Sequence, residues 1–245
     1  LSIYITGDTH GYSDIYKLGV KRFPEGRELT INDVVIIAGD FGLLWSDPPD
    51  KSEIWWLKWL SDKPWTTLFV DGNHDNHDML SKLFVGEKFG GKVGRVRDNI
   101  FHLKRGEVYT INGKKIFVFG GAKTTDMVSK VLRGNKFKEV KRIEGKDWWP
   151  GELPNENDKR NAWRNLKKHG NKVDIIVAHT LPSNIIGEYD KVYDSPTGRI
   201  DDPTAIFLQR VCEKAEFDEY YCGHFHDDRK IDNYTMLFDS VVKFQ

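Results

Sequence analysis

Six short runs of consecutive apolar residues, rich in β-branched side chains, punctuate the chain, and the period of such runs predicts β-strands. Five of them end in a polar cluster of Gly, Asp, Asn or His. Ser2–Thr6 leads into Gly7-Asp8-Thr9-His10-Gly11, Val34–Ala38 into Gly39-Asp40-Phe41-Gly42, and Thr67–Val70 into Asp71-Gly72-Asn73-His74-Asp75. Asp174–Ala178 leads into His179-Thr180-Leu181-Pro182 and Glu219–Cys222 into Gly223-His224-Phe225-His226, while Tyr234–Phe238 stops at Asp239 with no such cluster. Helical spacing is predicted at Ser13–Arg22 and Ser52–Leu60, the second with Ile54, Trp55, Trp56, Leu57, Trp59 and Leu60 on a broad apolar face. Strand, helix, strand is the pattern of a parallel crossover, and the unbroken apolar runs suit strands covered on both faces. The predicted class is therefore α/β. Ligands of such sheets lie beyond the carboxyl ends of the strands, so one site can collect all five clusters.

The middle of the chain changes period. Asn99–Leu103, Glu107–Ile111 and Lys115–Phe119 alternate as antiparallel strands do, with Asn112-Gly113 as a hairpin turn. A charged stretch from Gly120 to Lys172 follows, holding Trp148-Trp149-Pro150 and a helical pattern over Asn157–His169. It reads as an insertion over the strand ends, at about residues 120–172, of one domain spanning 1–245. Asp202-Pro203-Thr204 marks a further helix start, with Ala205–Lys214 behind it.

Composition narrows the class of protein without naming a function. With 39% hydrophobic and 30% charged residues over 245 positions, the chain has the make-up of a folded domain with a large core, not of a disordered segment or a stapled mini-protein. Its 37 basic and 37 acidic residues cancel, so no global field recruits a polyanion, and long DNA or RNA is not an expected partner. Two cysteines, Cys212 and Cys222, exclude a disulfide framework and fit a reducing compartment, so a cytoplasmic location is expected. No run approaches the roughly 18 apolar residues of a membrane span, and Leu1-Ser2-Ile3-Tyr4-Ile5 lacks the pattern of a signal peptide.

The chemistry lies in the clusters. Asp8, His10, Asp40, Asn73, His179, His224 and His226 all fall just after predicted strands. A mixed set of imidazole, carboxylate and amide suits Mn, Fe, Zn or Co better than a thiolate zinc site or an all-oxygen calcium cage. Seven ligands exceed the needs of one ion. If one Asp bridges, two ions about 3.5 to 4 Å apart can share them, the arrangement used to hydrolyse phosphate esters.

In chain order the motifs are Gly7-Asp8-Thr9-His10-Gly11, Gly39-Asp40, Gly72-Asn73-His74-Asp75, an isolated His179 and Gly223-His224-Phe225-His226. This series resembles the calcineurin-like metallophosphoesterases, with a segment around Arg142–Glu152 similar to bacterial and phage members. The resemblance covers residues 2 to about 240 and implies a four-layer sandwich of two mixed β-sheets flanked by helices. It implies one ion on Asp8, His10, Asp40 and His226 and a second on Asp40, Asn73, His179 and His224, with Asp40 as the bridge and manganese favoured. It further implies hydrolysis of phosphate mono- or diesters by a bridging hydroxide, with His74 stabilising the phosphoryl group and protonating the leaving oxygen. Adjacency makes Asp75 the candidate to orient His74. Two divalent ions against two carboxylates leave a surplus of about +2 toward substrate.

One departure from the family pattern bears on substrate. The protein Ser/Thr phosphatases and dinucleoside polyphosphatases continue the second motif to an Arg that grips phosphate bidentately, whereas this chain reads Gly39-Asp40-Phe41-Gly42-Leu43-Leu44-Trp45. A phosphorylated small molecule is expected first, nucleotide-like substrates being favoured by the aromatics that read as exposed, and a Ser/Thr protein phosphatase is the alternative. Arg142 or Lys146 are candidates for the missing phosphate contact. Trp148-Trp149 would form a stacking or lid surface, or else cap the core. His77, His102 and His169 match no motif and read as surface or structural residues. The rival from another class is a non-catalytic scaffold or regulatory protein of the same fold, against which the seven intact ligand positions stand. Protein partners are left open by the sequence.

Overall fold

The computed structural model describes residues 1–133, 136–194 and 196–244. The chain runs β1 (Ile3–Thr6), β2 (Val34–Ala38), α1 (Lys51–Ser61), β3 (Thr66–Val70), α2 (His77–Ser81), β4 (Phe84–Lys88), β5 (Gly91–Arg97), β6 (Ile100–Leu103), β7 (Val108–Ile111) and β8 (Lys114–Phe119). It continues with β9 (Val128–Arg133), β10 (Lys136–Lys141), α3 (Glu156–Lys168), β11 (Ile175–Ala178), α4 (Ser183–Val192), α5 (Pro203–Cys212), β12 (Glu219–Cys222), β13 (Arg229–Ile231), β14 (Tyr234–Met236) and β15 (Val241–Phe244). Two mixed sheets result, of order 15-1-2-3-6-5-4 and 13-14-12-11-8-7, beside a separate β9–β10 hairpin.

Side-chain alternation stacks these sheets. In β2, Val34, Ile36 and Ala38 join Ile175 and Val177 of β11 and Ile116 and Val118 of β8 in one core between the sheets. Val35 and Ile37 point the other way, toward Leu57 and Leu60 of α1. On the far side of the second sheet, Ile176 and Ala178 meet Leu166 of α3, Ile186 of α4 and Leu208 of α5. Strands buried on both faces thus give helix, sheet, sheet, helix, and the predicted α/β sandwich is the observed one.

The parallel neighbours β1–β2–β3 and β8–β11–β12–β14 follow the expected strands closely. Asn112 and Gly113 both take positive φ, 53° and 75°, as the β7–β8 hairpin turn requires. Three elements differ from expectation. Residues 13–22 form only a single 3-10 turn, Ile15–Leu18, because both ends are tied down: the Asp14 side chain turns to His10 and Lys17 turns inward. β6, expected beside antiparallel partners alone, also pairs parallel with β3. On α1 only part of the Trp-rich face is covered, with Leu57 and Leu60 buried and Ile54 and Trp55 exposed. The stretch 120–172 is divided in place: α3 contributes Ala162 and Leu166 to a core, whereas β9 and β10 pair only with each other. Among the described residues no helix is long and apolar enough to cross a membrane.

Candidate metal centre

The loops after β1, β2, β3, β11 and β12 converge at one edge of the two sheets. Asp8, His10, Asp40 and His226 each offer a ligand atom, and these atoms lie within 4.8 Å of one another. Beside them His179 Nε2 stands 3.0 Å from Asn73 Oδ1 and 3.4 Å from Asp40 Oδ1. Asp40 occupies the junction, with Oδ2 3.4 Å from His10 Nε2 and Oδ1 facing His179. The His224 ring packs on His179 at 4.8 Å, and its Nε2 accepts from Arg199 Nε at 2.9 Å.

The backbone around these residues is bent to suit them. His10, Asp40, His224 and His226 have φ of 40°, 47°, 68° and 50°, a region costing L-residues about 1–2 kcal/mol each, which persists only where surrounding structure enforces it. Gly39 and Gly223 are dictated by close approach: a Cβ at Gly39 would stand 1.9 Å from His179 Nδ1, and one at Gly223 2.0 Å from Asp8 Oδ1.

Electrostatics favour a cation. Asp8 and Asp40 are both fully buried. Asp40 Oδ2 has no hydrogen-bond partner, an expensive arrangement for a buried carboxylate without positive charge at hand. Burial pushes the Asp8 carboxyl up, while His179 and His10 overcome burial at Asp40 and hold it well below the usual range. Burial opposes charge on His10, yet its 3.4 Å contact with Asp40 and the fields of Asp40 and Asp8 raise it to about 9. The two carboxylates therefore demand positive charge, which a divalent cation meets by displacing protons. The residues fit such an ion.

The family model for calcineurin-like phosphoesterases matches residues 1–228. The chain belongs to that family. No curated protein matches it significantly.

In this calcineurin-like phosphoesterase the ligand candidates are held by residues that motif reading missed. Asp14 Oδ2 lies 2.8 Å from His10 Nδ1, the carboxylate–imidazole pairing that orients metal-binding histidines. Ala38 O does the same for His179 Nδ1 at 3.0 Å. Asn73 Nδ2 donates to Thr124 Oγ1 at 3.3 Å, and Thr124 in turn donates to Glu152 from both its hydroxyl and its amide, which aims Asn73 Oδ1 at His179. Lys17, fully buried, donates from Nζ to the carbonyls of Asp8 and Phe238 and pins the first loop to the chain's last turn. A buried lysine at the spacing of a polar helix gives no sequence signal.

His74 has its amide fixed by Asp40 Oδ1 at 2.7 Å, and its ring faces His10 edge-on at 5.8 Å. Burial, aided by Arg142 and His10, lowers its pKa. Asp75 does not orient it. The Asp75 carboxylate accepts the amides of Phe41, Gly42 and Gly72, tying the second loop to the third, and burial pushes it up to about 7. Arg142 pairs with Asp126 at 2.5 Å and donates to Asp147 O, close enough to act on His74 electrostatically. Lys146 is exposed in the turn that follows. Trp149 is buried and packs edge-to-face on Trp45 at 4.9 Å, so it caps this wall of the structure. Arg199 makes no ion pair with any carboxylate among the described residues and lies 5.5 Å over the Phe225 ring. It is a half-buried cation beside the centre, drawn from a loop where no motif points to it.

His102 is structural. Its Nε2 meets Asp71 Oδ1 at 3.1 Å and its Nδ1 accepts from Lys104 Nζ at 3.1 Å, while Arg105 Nε holds the other Asp71 oxygen at 2.8 Å. Burial, with Lys104 and Arg105, lowers its pKa from 6.5 to about 4. The folded protein thus binds fewer protons here than the unfolded chain. Stability is full above pH 6.5 and falls as pH drops from there through 4, by about 3 kcal/mol. Thermal melts across that range should show this fall, and His102→Gln should flatten it; an equal slope in the variant would place the effect elsewhere.

Proposed function

We propose that the chain hydrolyses phosphate mono- or diesters of small phosphorylated molecules, using two divalent ions with manganese favoured. The observation that carries this reading is Asp40, a buried carboxylate with one unpartnered oxygen, set between the His10 side and the His179 side of the centre. Asp8, His10, Asp40 and His226 would hold one ion, and Asp40, Asn73, His179 and His224 the other. When bound, the ions supply Lewis acidity toward the phosphoryl oxygens and make water a nucleophile near neutral pH.

The chain's own residues do the rest. A phosphoryl group at the centre would meet Arg199, whose Nε donates to His224 and whose guanidinium has no carboxylate partner among the described residues, leaving its terminal N–H groups for phosphate oxygens. Arg142 acts at longer range, held by Asp126. His74, whose pKa burial lowers, is raised by an approaching anion and donates to the leaving oxygen from a ring placed by its backbone amide's hydrogen bond to Asp40. Asp75 serves by locking Gly42 and Gly72 together, which fixes the loops that carry Asp40 and Asn73.

The test is elemental analysis of the purified protein beside hydrolysis of p-nitrophenyl phosphate and bis-p-nitrophenyl phosphate, before and after chelation. About two metals per chain and turnover that vanishes on chelation and returns with Mn²⁺ are expected, and the preferred ester separates mono- from diesterase. Failure to bind metal would overturn the reading. Within it, Thr124→Val removes the acceptor that orients the Asn73 amide. It should weaken one of two Mn²⁺ sites by about 10–100-fold in a metal titration while the other is kept.

A further inference from the structure

Beside the centre lies a cavity of about 380 Å³ that His10 and His74 help to line. The size is at the lower end of the roughly 300–1,000 Å³ range of small-molecule sites. Two further walls are aromatic, Tyr12 and Trp45, and another is acidic, Asp50 and Glu53.

Trp45 is held from three directions. Its amide donates to Glu53 Oε1 at 2.5 Å, its carbonyl accepts from Asn76 Nδ2 at 2.6 Å, and its indole stands edge-on to the buried Trp149. Such a ring is a preorganised flat surface. Tyr12 is 64% exposed and has no hydrogen bond or ring contact among the described residues, so its phenol is available to a ligand. The acidic wall sorts ligands by charge. Both Glu53 oxygens are engaged by the amides of Trp45, Ser46 and Asp50, whereas Asp50 uses Oδ1 to cap α1 and leaves Oδ2 without a partner among the described residues. A second phosphate or carboxylate here would face like charge. A neutral planar ring with N–H or O–H donors would find stacking surfaces and a free acceptor.

We propose that this cavity is a nucleoside subsite, so that the substrate is a nucleoside phosphate whose base lies against Trp45 and Tyr12 and donates to Asp50. The proposal rests on the phosphoesterase reading for the reaction and on the cavity for the ligand. Base–aromatic contacts contribute roughly tenfold or more in affinity per ring.

The test compares kcat/KM for AMP and for glycerol 2-phosphate in the Mn²⁺-loaded full chain, with calorimetry of adenosine binding alongside. The wild type should favour AMP by at least about tenfold. That ratio should fall at least about fivefold in Tyr12→Ala and in Trp45→Ala, and be kept in Trp45→Phe, which preserves a ring and the packing. Adenosine binding should be lost in Tyr12→Ala, a change at an exposed side chain. A ratio near one in the wild type, or a ratio unchanged in both alanine variants, overturns the nucleoside subsite. If neither monoester is hydrolysed, the monoesterase form of the reading falls, and calorimetry still decides the cavity: Tyr12-dependent adenosine binding supports it and no binding refutes it.

Discussion

Asp40→Ala is expected to empty the centre of metal and to cut turnover by more than about 10³-fold, about 4 kcal/mol of barrier. Both of its oxygens are committed: Oδ1 faces His179 and accepts the His74 amide at 2.7 Å, and Oδ2 faces His10 with no other partner. Removing the carboxylate leaves two clusters of imidazoles with only Asp8 to balance a cation, so affinity should fall at both halves together. Asp40→Asn separates charge from shape. The amide keeps an acceptor for the His74 N–H and about the same volume, yet carries no charge. Elemental analysis should find metal depleted in both variants, with circular dichroism unchanged in the Asn form. A fully metallated, active Asn variant would remove Asp40 from the junction between the ions.

His74→Ala should behave differently. The ring coordinates nothing in the assigned ligand sets, and the amide that binds Asp40 belongs to the backbone and survives the substitution. Metal content should therefore match the wild type, while turnover falls by about 10²–10⁴-fold, the usual weight of a positioned proton donor. The size of the loss should depend on the leaving group. An alkyl phosphate, whose alkoxide must be protonated as it departs, should lose more than p-nitrophenyl phosphate, whose anion is stable. An equal loss on both esters would assign the ring to the phosphoryl group alone, and unchanged turnover would remove it from the reaction.

Proton donation from a residue whose pKa burial lowers needs local negative charge, and substrate adds to what the site holds. Arg142 and His10 work against the charged ring, Asp40 for it. A phosphoryl dianion beside the ring adds to Asp40. Bound substrate thus raises the ring's pKa and favours the protonated form that can donate.

The sequence by itself determined the fully buried strands that carry the centre and the candidate ligands placed at their ends. Val34-Val35-Ile36-Ile37-Ala38 has no polar face to expose, so it is covered on both sides whatever else happens, and the Gly-Asp and Gly-His pairs after such runs put polar groups at strand ends. Local chemistry is enough for that, because burial pattern and strand-end polarity depend on neighbours within a few residues. Tertiary structure decided what each side chain does there. Asp75 lies next to His74 in sequence but turns away to Phe41, Gly42 and Gly72, since amides of the second loop, more than 30 residues earlier, come within reach only once β2 and β3 pair. Arg199, Lys17 and the Thr124–Glu152 pair carry no motif at all. Their roles arise from distance in three dimensions: Arg199 meets His224 across 25 residues, Lys17 meets Phe238 across 221, and Thr124 meets Asn73 across 51. β4, β5, β15 and α4 were not legible for the opposite reason. Strands such as Phe84–Lys88 and Gly91–Arg97 are half-exposed, glycine-bearing and charged, and pairing across the sheet, not their own composition, makes them strands.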